Sequence, residues 1–223
     1  MFWILNLYRC NGYKLNMIII GIDLAGRPDN STGICILNNS EMNFKVLYSD
    51  DEIIDEINEL KPDLIVIDAP TSLPRGRCCL EKDCECSKRG GHFREAEVKI
   101  RKYGRVLPLT FHGMKMLTKR GINLSKKLKT KYQLIETHPR TVQKMLKIKD
   151  VYQYFKDYSN LFSFAEYNSH ENISSHELDA GLAVLTGYFY LKKSFIELGD
   201  IEEGVIILPD NKIKLNNLKN FTI

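Results

Sequence analysis

Met17-Ile18-Ile19-Ile20-Gly21-Ile22-Asp23-Leu24-Ala25-Gly26 is the stretch whose reading decides the fold. An apolar, largely β-branched run meets an aspartate, and a glycine-containing loop follows at once. Without polar alternation, the run reads as a strand buried on both faces, in the middle of a sheet. Asp23 then stands where a central strand ends and the backbone turns. A carboxylate there is either desolvated, at a cost of several kcal/mol, or occupied by a cation or a hydroxyl. Leu64-Ile65-Val66-Ile67-Asp68-Ala69-Pro70 repeats the pattern, with Asp68 at its end.

Working outward, Arg27 to Ser31 reads as a turn-rich loop and Thr32 to Leu37 as a second strand. Asn38-Asn39-Ser40 reads as a hairpin turn and Met42 to Tyr48 as a third strand. Asp50 to Leu60 carries Ile53, Ile54, Ile57 and Leu60 at helical spacing, with Asp50 or Asp51 as the cap and Pro62 as the stop. A helical crossover of this kind makes Leu64–Asp68 parallel to an earlier strand. Helices are expected over Phe93–Tyr103, Leu117–Leu128, Thr141–Met145 and Val151–Phe155, and a strand over Tyr132–Glu136. Glu166 to Ser175 reads as a loop. Ser174 or Ser175 then caps a long helix to about Leu191, with Leu178, Leu182, Leu185 and Phe189 as its buried stripe. Ile201 to Leu215 reads as a terminal hairpin around Pro209-Asp210-Asn211. This is the element order of a ribonuclease H-like α/β fold. Its mixed five-stranded sheet has three antiparallel strands and then parallel ones, flanked by helices, here with a terminal β-hairpin.

At 223 residues the chain is most simply one domain. Met17 directly precedes the first strand, so residues 1–16 read as an N-terminal extension and 17–223 as the domain, with a Cys-rich, basic insertion at about 75–131. A hydrophobic fraction of 43% excludes wholesale disorder. The net charge of +4 is mild, yet Arg75 to Lys131 holds seventeen lysines and arginines against five acids. That suits a phosphate-bearing partner, nucleic acid in particular, although a solvated basic face is the plainer explanation. No stretch is apolar enough to span a membrane. Six cysteines, four of them bunched, do not resemble a secreted disulfide framework, and the cytoplasm is the expected compartment.

In such a sheet Asp23 and Asp68 emerge at neighbouring carboxyl ends of parallel strands, the ligand edge of an open α/β sheet. Glu136 ends the next strand on the same edge, and Asp179 lies near the start of the long helix expected across it. Converging carboxylates cannot all ionise unless a cation neutralises them, and hard oxygen ligands suit Mg²⁺ or Mn²⁺. Asp23, Asp68 and Asp179 are the expected metal ligands, and Glu136 a fourth ligand or the group that positions water. Two such ions would serve hydrolysis of a phosphodiester. Each acid also has a plainer role: Asp23 and Asp68 as loop caps, Glu136 as a partner of Arg140, Asp179 and Glu177 as acids favoured by the helix dipole.

Cys78, Cys79, Cys84 and Cys86 place four thiols within nine residues. The Cys79–Cys84 spacing fits a zinc site, whereas the adjacent Cys78-Cys79 pair and the single spacer before Cys86 fit less well. A loop-stapling Zn²⁺ or an iron–sulfur site stands beside unliganded or disulfide-forming thiols. Arg94, Arg101 and Arg105 would share a helical face if the helix persists, and guanidinium groups meet phosphates bidentately. Pairing with Glu95 and Glu97 is the local alternative. The aromatic run from Tyr152 to Tyr167 allows base stacking, but ordinary core packing is favoured.

Four blocks together resemble one family: Gly21-Ile22-Asp23-Leu24-Ala25-Gly26, Ile67-Asp68-Ala69-Pro70, Glu136-Thr137-His138-Pro139 and His176-Glu177-Leu178-Asp179-Ala180. It is the domain-of-unknown-function family numbered 429, described as predicted nucleases with a ribonuclease H-like fold. The resemblance runs from about Met17 to Lys192 and takes in the charged stretch from Arg94 to Gly104. It implies that fold and a metal-dependent nuclease. Two other classes share the core. One is a catalytically silent nucleic-acid-binding or adaptor protein. The other is an ATP-dependent phosphotransferase of the actin and sugar-kinase type, although Asp23 is followed by Leu24-Ala25-Gly26 where that type usually offers Asp-x-Gly-x-Ser/Thr.

Overall fold

A computed structural model describes residues 17–158, 163–164 and 173–212. The expected N-terminal extension, Phe162, Tyr167, most of the 166–175 loop and the far end of the expected terminal hairpin lie outside these residues. The strands are β1 (Ile18–Asp23), β2 (Thr32–Asn38), β3 (Glu41–Leu47), β4 (Leu64–Asp68), β5 (Leu134–Glu136), β6 (Ser163–Phe164), β7 (Phe195–Asp200) and β8 (Gly204–Pro209). The helices are α1 (Asp50–Leu60), α2 (Glu95–Ile100), α3 (His112–Leu128), α4 (Pro139–Met145), α5 (Val151–Asp157) and α6 (Ser175–Leu191). All the strands join one mixed sheet in the order β6-β3-β2-β1-β4-β5-β8-β7. β1, β2 and β3 are antiparallel, and β4 and β5 run parallel to β1.

The sheet is wider than the five strands expected, and the difference lies at its edges. β7 and β8 form a hairpin ahead of the expected one, turning at Ile201-Glu202-Glu203, and the second arm expected after Pro209-Asp210-Asn211 lies outside the described residues. Asp200 Oδ1 accepts from the Glu202 and Glu203 amides at 2.9 and 3.2 Å, a turn closed by an aspartate on its own backbone. The hairpin is no appendage. β8 pairs parallel to β5 and covers backbone groups that a bare edge would leave unpaired.

Strand alternation sorts the apolar residues into two layers. Ile20, Ile22, Ile34, Ile36, Ile65 and Ile67 pack against Ile53 and Ile57 of α1 and Leu124 and Leu128 of α3. Ile19, Cys35, Leu37, Leu64 and Val66 pack on the other side, against α6 and its neighbours α4 and α5. The reading of β1 and β4 as strands buried on both faces holds, since Ile19 to Ile22 and Leu64 to Ile67 are all buried. The 75–131 stretch is more than an excursion, because α3 supplies core residues to the first layer.

By the same alternation Gly21, Asp23, Gly33 and Asp68 belong to the α6 face. The two glycines let α6 descend onto the sheet backbone. A Cβ on Gly21 would lie 2.1 Å from the Ala180 carbonyl oxygen, and one on Gly33 2.1 Å from that of His176. This contact carries the first turns of α6 to the end of β1. Gly21→Ala is therefore expected to lower stability by about 3 kcal/mol, through backbone displacement rather than lost burial, as read by urea unfolding. An unchanged midpoint would show that α6 can lift without penalty.

Local signals explain the remaining boundaries. Ser174 caps α6 with Glu177 as its reciprocal partner, the helix-terminal role expected of Glu177. α1 is capped by Ser49 rather than Asp50 or Asp51, again with a reciprocal partner, Glu52. α6 is buried nearly all round and not along one stripe, because Phe155 of α5 and Phe44 of β3 close over Gly181. In the aromatic run, Phe155 is core, Tyr154 stands edge-on to it at 5.9 Å, and Tyr152 is exposed.

Candidate functional site

Asp23 and Asp68 are register partners at the ends of the parallel pair β1 and β4. Asp179 enters from α6. Burial pushes the Asp68 carboxyl well above its ordinary range, and the charges of Asp23, Asp179 and Glu136 push it further. Burial, then Asp23, pushes Asp179 up to about 6. Asp23 is also raised by burial, but less freely, because His176 Nδ1 pairs with its Oδ2 at 2.6 Å. Arg140, at the start of α4, pulls all three down. Asp68 thus feels the charges of Asp23 and Asp179, and Asp179 feels that of Asp23. Asp68 and Asp179 show no hydrogen bond from the described residues, so their oxygens keep acceptor capacity.

Sequence reasoning misses two members of this site, His176 and the long-range role of Arg140. A signal for the first exists: His176 stands three residues before Asp179, the spacing that places two side chains on one helix face. Arg140 reads from the sequence only as a partner for Glu136, whereas its charge acts on the three aspartates.

Glu136 lies at the expected edge but is engaged otherwise. Its Oε2 accepts from the Thr71 amide at 2.9 Å, the Thr71 hydroxyl at 3.0 Å and Arg94 Nη1 at 3.0 Å, and its Oε1 pairs with Arg94 Nη2. Arg94, expected at the substrate backbone, is instead fully buried. Its five N–H donors are all used, by Glu97 from Nε and Nη2, by Glu136 from both terminal nitrogens and by Ser72 from Nη1. Burial opposes the Arg94 charge, and Glu136 and Glu97 more than offset it, holding the group above its ordinary range. A guanidinium enclosed in this way cannot meet a phosphate. Its place explains the role of Glu136, which ties the connection after β4 to β5 and α2.

Arg101 and Arg105 are exposed but do not share a helix face with Arg94, because α2 stops at Ile100. Arg101 lies over the Phe93 ring at 4.0 Å. Part of the basic segment is paired locally: Lys115 and Lys119 with Glu81, Lys99 with Glu95, and Arg120 with Asp50. Arg120 is a buried clamp on the site's other wall, donating to the carbonyls of Ala25, Arg27 and Tyr48. The loop it holds borders an open cleft of about 560 Å³, lined in part by Leu24, Gly26, Asn30, Tyr48 and His176. His138 caps α4, its Nδ1 accepting from the Thr141 amide at 3.3 Å.

The cysteines meet as a group. Cys78 and Cys84 sulfurs are 3.7 Å apart, as are those of Cys79 and Cys86, and all four lie within 4.8 Å of one another. Four thiols this close can bind a metal ion such as zinc. Backbone amides of Cys78 and Cys79 aimed at the Cys86 sulfur pull that thiol down to about 6. Among the described residues this is the only set of three or more ligand side chains gathered so tightly. The aspartates do not draw together to the same degree.

Fold and site define an α/β protein with carboxylates at the carboxyl edge of a mixed sheet and a four-cysteine group on the connection that leaves that edge. No protein-family model matches the chain, and no curated protein matches it. No helix among the described residues is long and apolar enough to cross a membrane.

Proposed function

We propose that the chain is a divalent-metal-dependent phosphodiesterase acting on nucleic acid, built on a ribonuclease H-like core. The observation that carries this reading is the side-by-side pairing of Asp23 and Asp68 at the ends of two central parallel strands, with Asp179 delivered across them by α6. The order of three antiparallel strands followed by β4 and β5 agrees with such a core.

The donor set fits Mg²⁺ or Mn²⁺. Asp68 and Asp179 offer hard oxygens free of protein donors among the described residues, and three carboxylates with raised proton affinity need a counter-charge. With two ions, carboxylates serving different ions need not meet closely, consistent with their looser gathering. Bound there, the metal would supply Lewis-acid polarisation of a phosphoryl oxygen and activation of water. His176 fixes the Asp23 carboxylate by its Nδ1 and stands at the cleft beside it. Glu136 acts as a positioning residue through Arg94, which leaves Asp23, Asp68 and Asp179 as the ligands. Arg101 and Arg105 offer exposed guanidinium groups to a phosphate backbone.

Calorimetric titration with Mn²⁺, of wild type and of Asp23→Asn, tests the site, followed by labelled single- and double-stranded DNA and RNA. Binding in the wild type that the variant loses, with metal-dependent cleavage, is the expected result. Binding without cleavage would move the substrate to nucleotides or small phosphoesters. Equal binding by both proteins, or by neither, would remove the carboxylates from metal chemistry.

A further inference from the structure

We infer that Cys78, Cys79, Cys84 and Cys86 form a mononuclear structural zinc site that holds together the arm between β4 and α2. Zinc–thiolate bonds of about 2.3 Å in a tetrahedron place neighbouring sulfurs about 3.8 Å apart. The two measured pairs stand at 3.7 Å, and every pair lies within 4.8 Å. The adjacent cysteines do not compete, because Cys78 faces Cys84 while Cys79 faces Cys86. A cluster of several irons would spread its thiolates over separate metal atoms, which four sulfurs this close do not allow. Soft thiolates also select zinc over the hard ions proposed for the carboxylates.

A second observation points the same way. From Ala69 to Arg94 the chain has no regular element except a single 3₁₀ turn at Glu85–Lys88. Between Arg75 and Phe93 only Leu80 and Cys86 are buried. A segment this long with two core residues has too little apolar burial to order itself, and a metal supplies what the core lacks. The neck of the arm is already closed by protein contacts. Arg77 donates to the carbonyls of Gly91 and Glu81 at 3.0 and 3.2 Å, and Glu81 pairs with Lys115 and Lys119 of α3 at 2.7 and 2.6 Å. The site completes the tip. The arm leaves directly after Asp68 and returns at Arg94, so zinc orders a connection that begins at the carboxylate edge. The inference stands whether or not those carboxylates bind a metal.

Elemental analysis of protein purified without chelator is expected to find about one zinc per chain, released when the thiols are blocked by a mercurial. Cys84→Ser and, separately, Cys86→Ser should retain less than about a tenth of that zinc. Both should become sensitive to trypsin at Lys82, Lys88 or Arg89, with the circular dichroism of the sheet core unchanged. Four reactive thiols without metal in the wild type would overturn the site. So would an intact mass lighter by four hydrogens, which would mean Cys78–Cys84 and Cys79–Cys86 disulfides. Stoichiometric iron in place of zinc would overturn the assignment of the metal. The wild-type metal content decides the matter even if a variant fails to fold.

Discussion

Arg94→Met is expected to lower the free energy of unfolding by about 3–5 kcal/mol, one of the largest effects of any single substitution outside the apolar core. The side chain is completely enclosed, and it neutralises Glu97 and Glu136, which are themselves buried. Removing it strands two buried carboxylates without a counter-charge, a far greater penalty than the worth of the intact triad. Arg94→Lys should recover little, because an ammonium has three donors and no planar fork to span Glu97, Glu136 and Ser72 together. Adding Glu136→Gln to Arg94→Met should return part of the loss. The amide still accepts from Thr71, and one stranded charge is gone, so the two changes will not add. Denaturant unfolding followed by circular dichroism reads all three. A loss below about 1 kcal/mol for Arg94→Met, typical of an exposed pair, would mean that water reaches the triad.

Asp68→Asn is expected to separate stability from function. On the proposed reading it removes a central ligand, and metal-dependent cleavage should fall by about 100-fold or more. The same variant without metal should be more stable than the wild type at neutral pH. The sign follows from burial. Asp68 and Asp179 are harder to ionise in the folded chain than in the unfolded one, with Asp179 at about 6 against an ordinary 3.8. The folded state therefore holds protons that the unfolded state has released. The stability they contribute is full below about pH 3.8 and declines as the pH rises through the folded values. The side-chain amide of Asp68→Asn cannot ionise, so the variant's advantage in chelator should grow from about pH 4 upward, past the range in which Asp179 titrates. Mn²⁺ should reverse the ranking, since a ligand at about 100 times its dissociation constant adds about 2.7 kcal/mol to the protein that binds it. Melting curves at several pH values, with and without Mn²⁺, test both halves. A wild type that stays the more stable in chelator at every pH would show that Asp68 is better solvated than its surroundings indicate.

Much of the frame is legible in the sequence because it rests on short-range rules. Two unbroken apolar runs, each ending in aspartate, have few places to go except the middle of a parallel sheet. Ser174 and Glu177 announce the start of α6 by a capping pattern that is local in the chain. Arg94 misleads for the opposite reason. Its charge, and acids close behind it in the chain, read as a wet helix face. Only the fold brings Glu136 from 42 residues away to enclose it. The β7–β8 hairpin is not legible because its turn, Ile201-Glu202-Glu203, lacks a strong turn composition. That turn depends on Asp200 accepting from the amides of Glu202 and Glu203, and on β5 offering an edge for β8 to join. Convergence of the four thiols is hidden by their adjacency, since sequence spacing does not reveal that neighbouring side chains can serve opposite corners of one tetrahedron.

The close seat of α6 on Gly21 and Gly33 also imposes an order on biosynthesis. Asp23 leaves the ribosome before its partner His176, which follows 153 residues later, with Asp179 just after it. At about 5–20 residues per second, that interval is on the order of ten seconds or more. Once β4 has also emerged, it can pair with β1 while the face meant for α6 stays bare. Such a long separation between contacting segments slows closure even after synthesis. A nascent chain therefore carries two of its aspartates without the third, and the acidic edge is assembled only after α6 has been made.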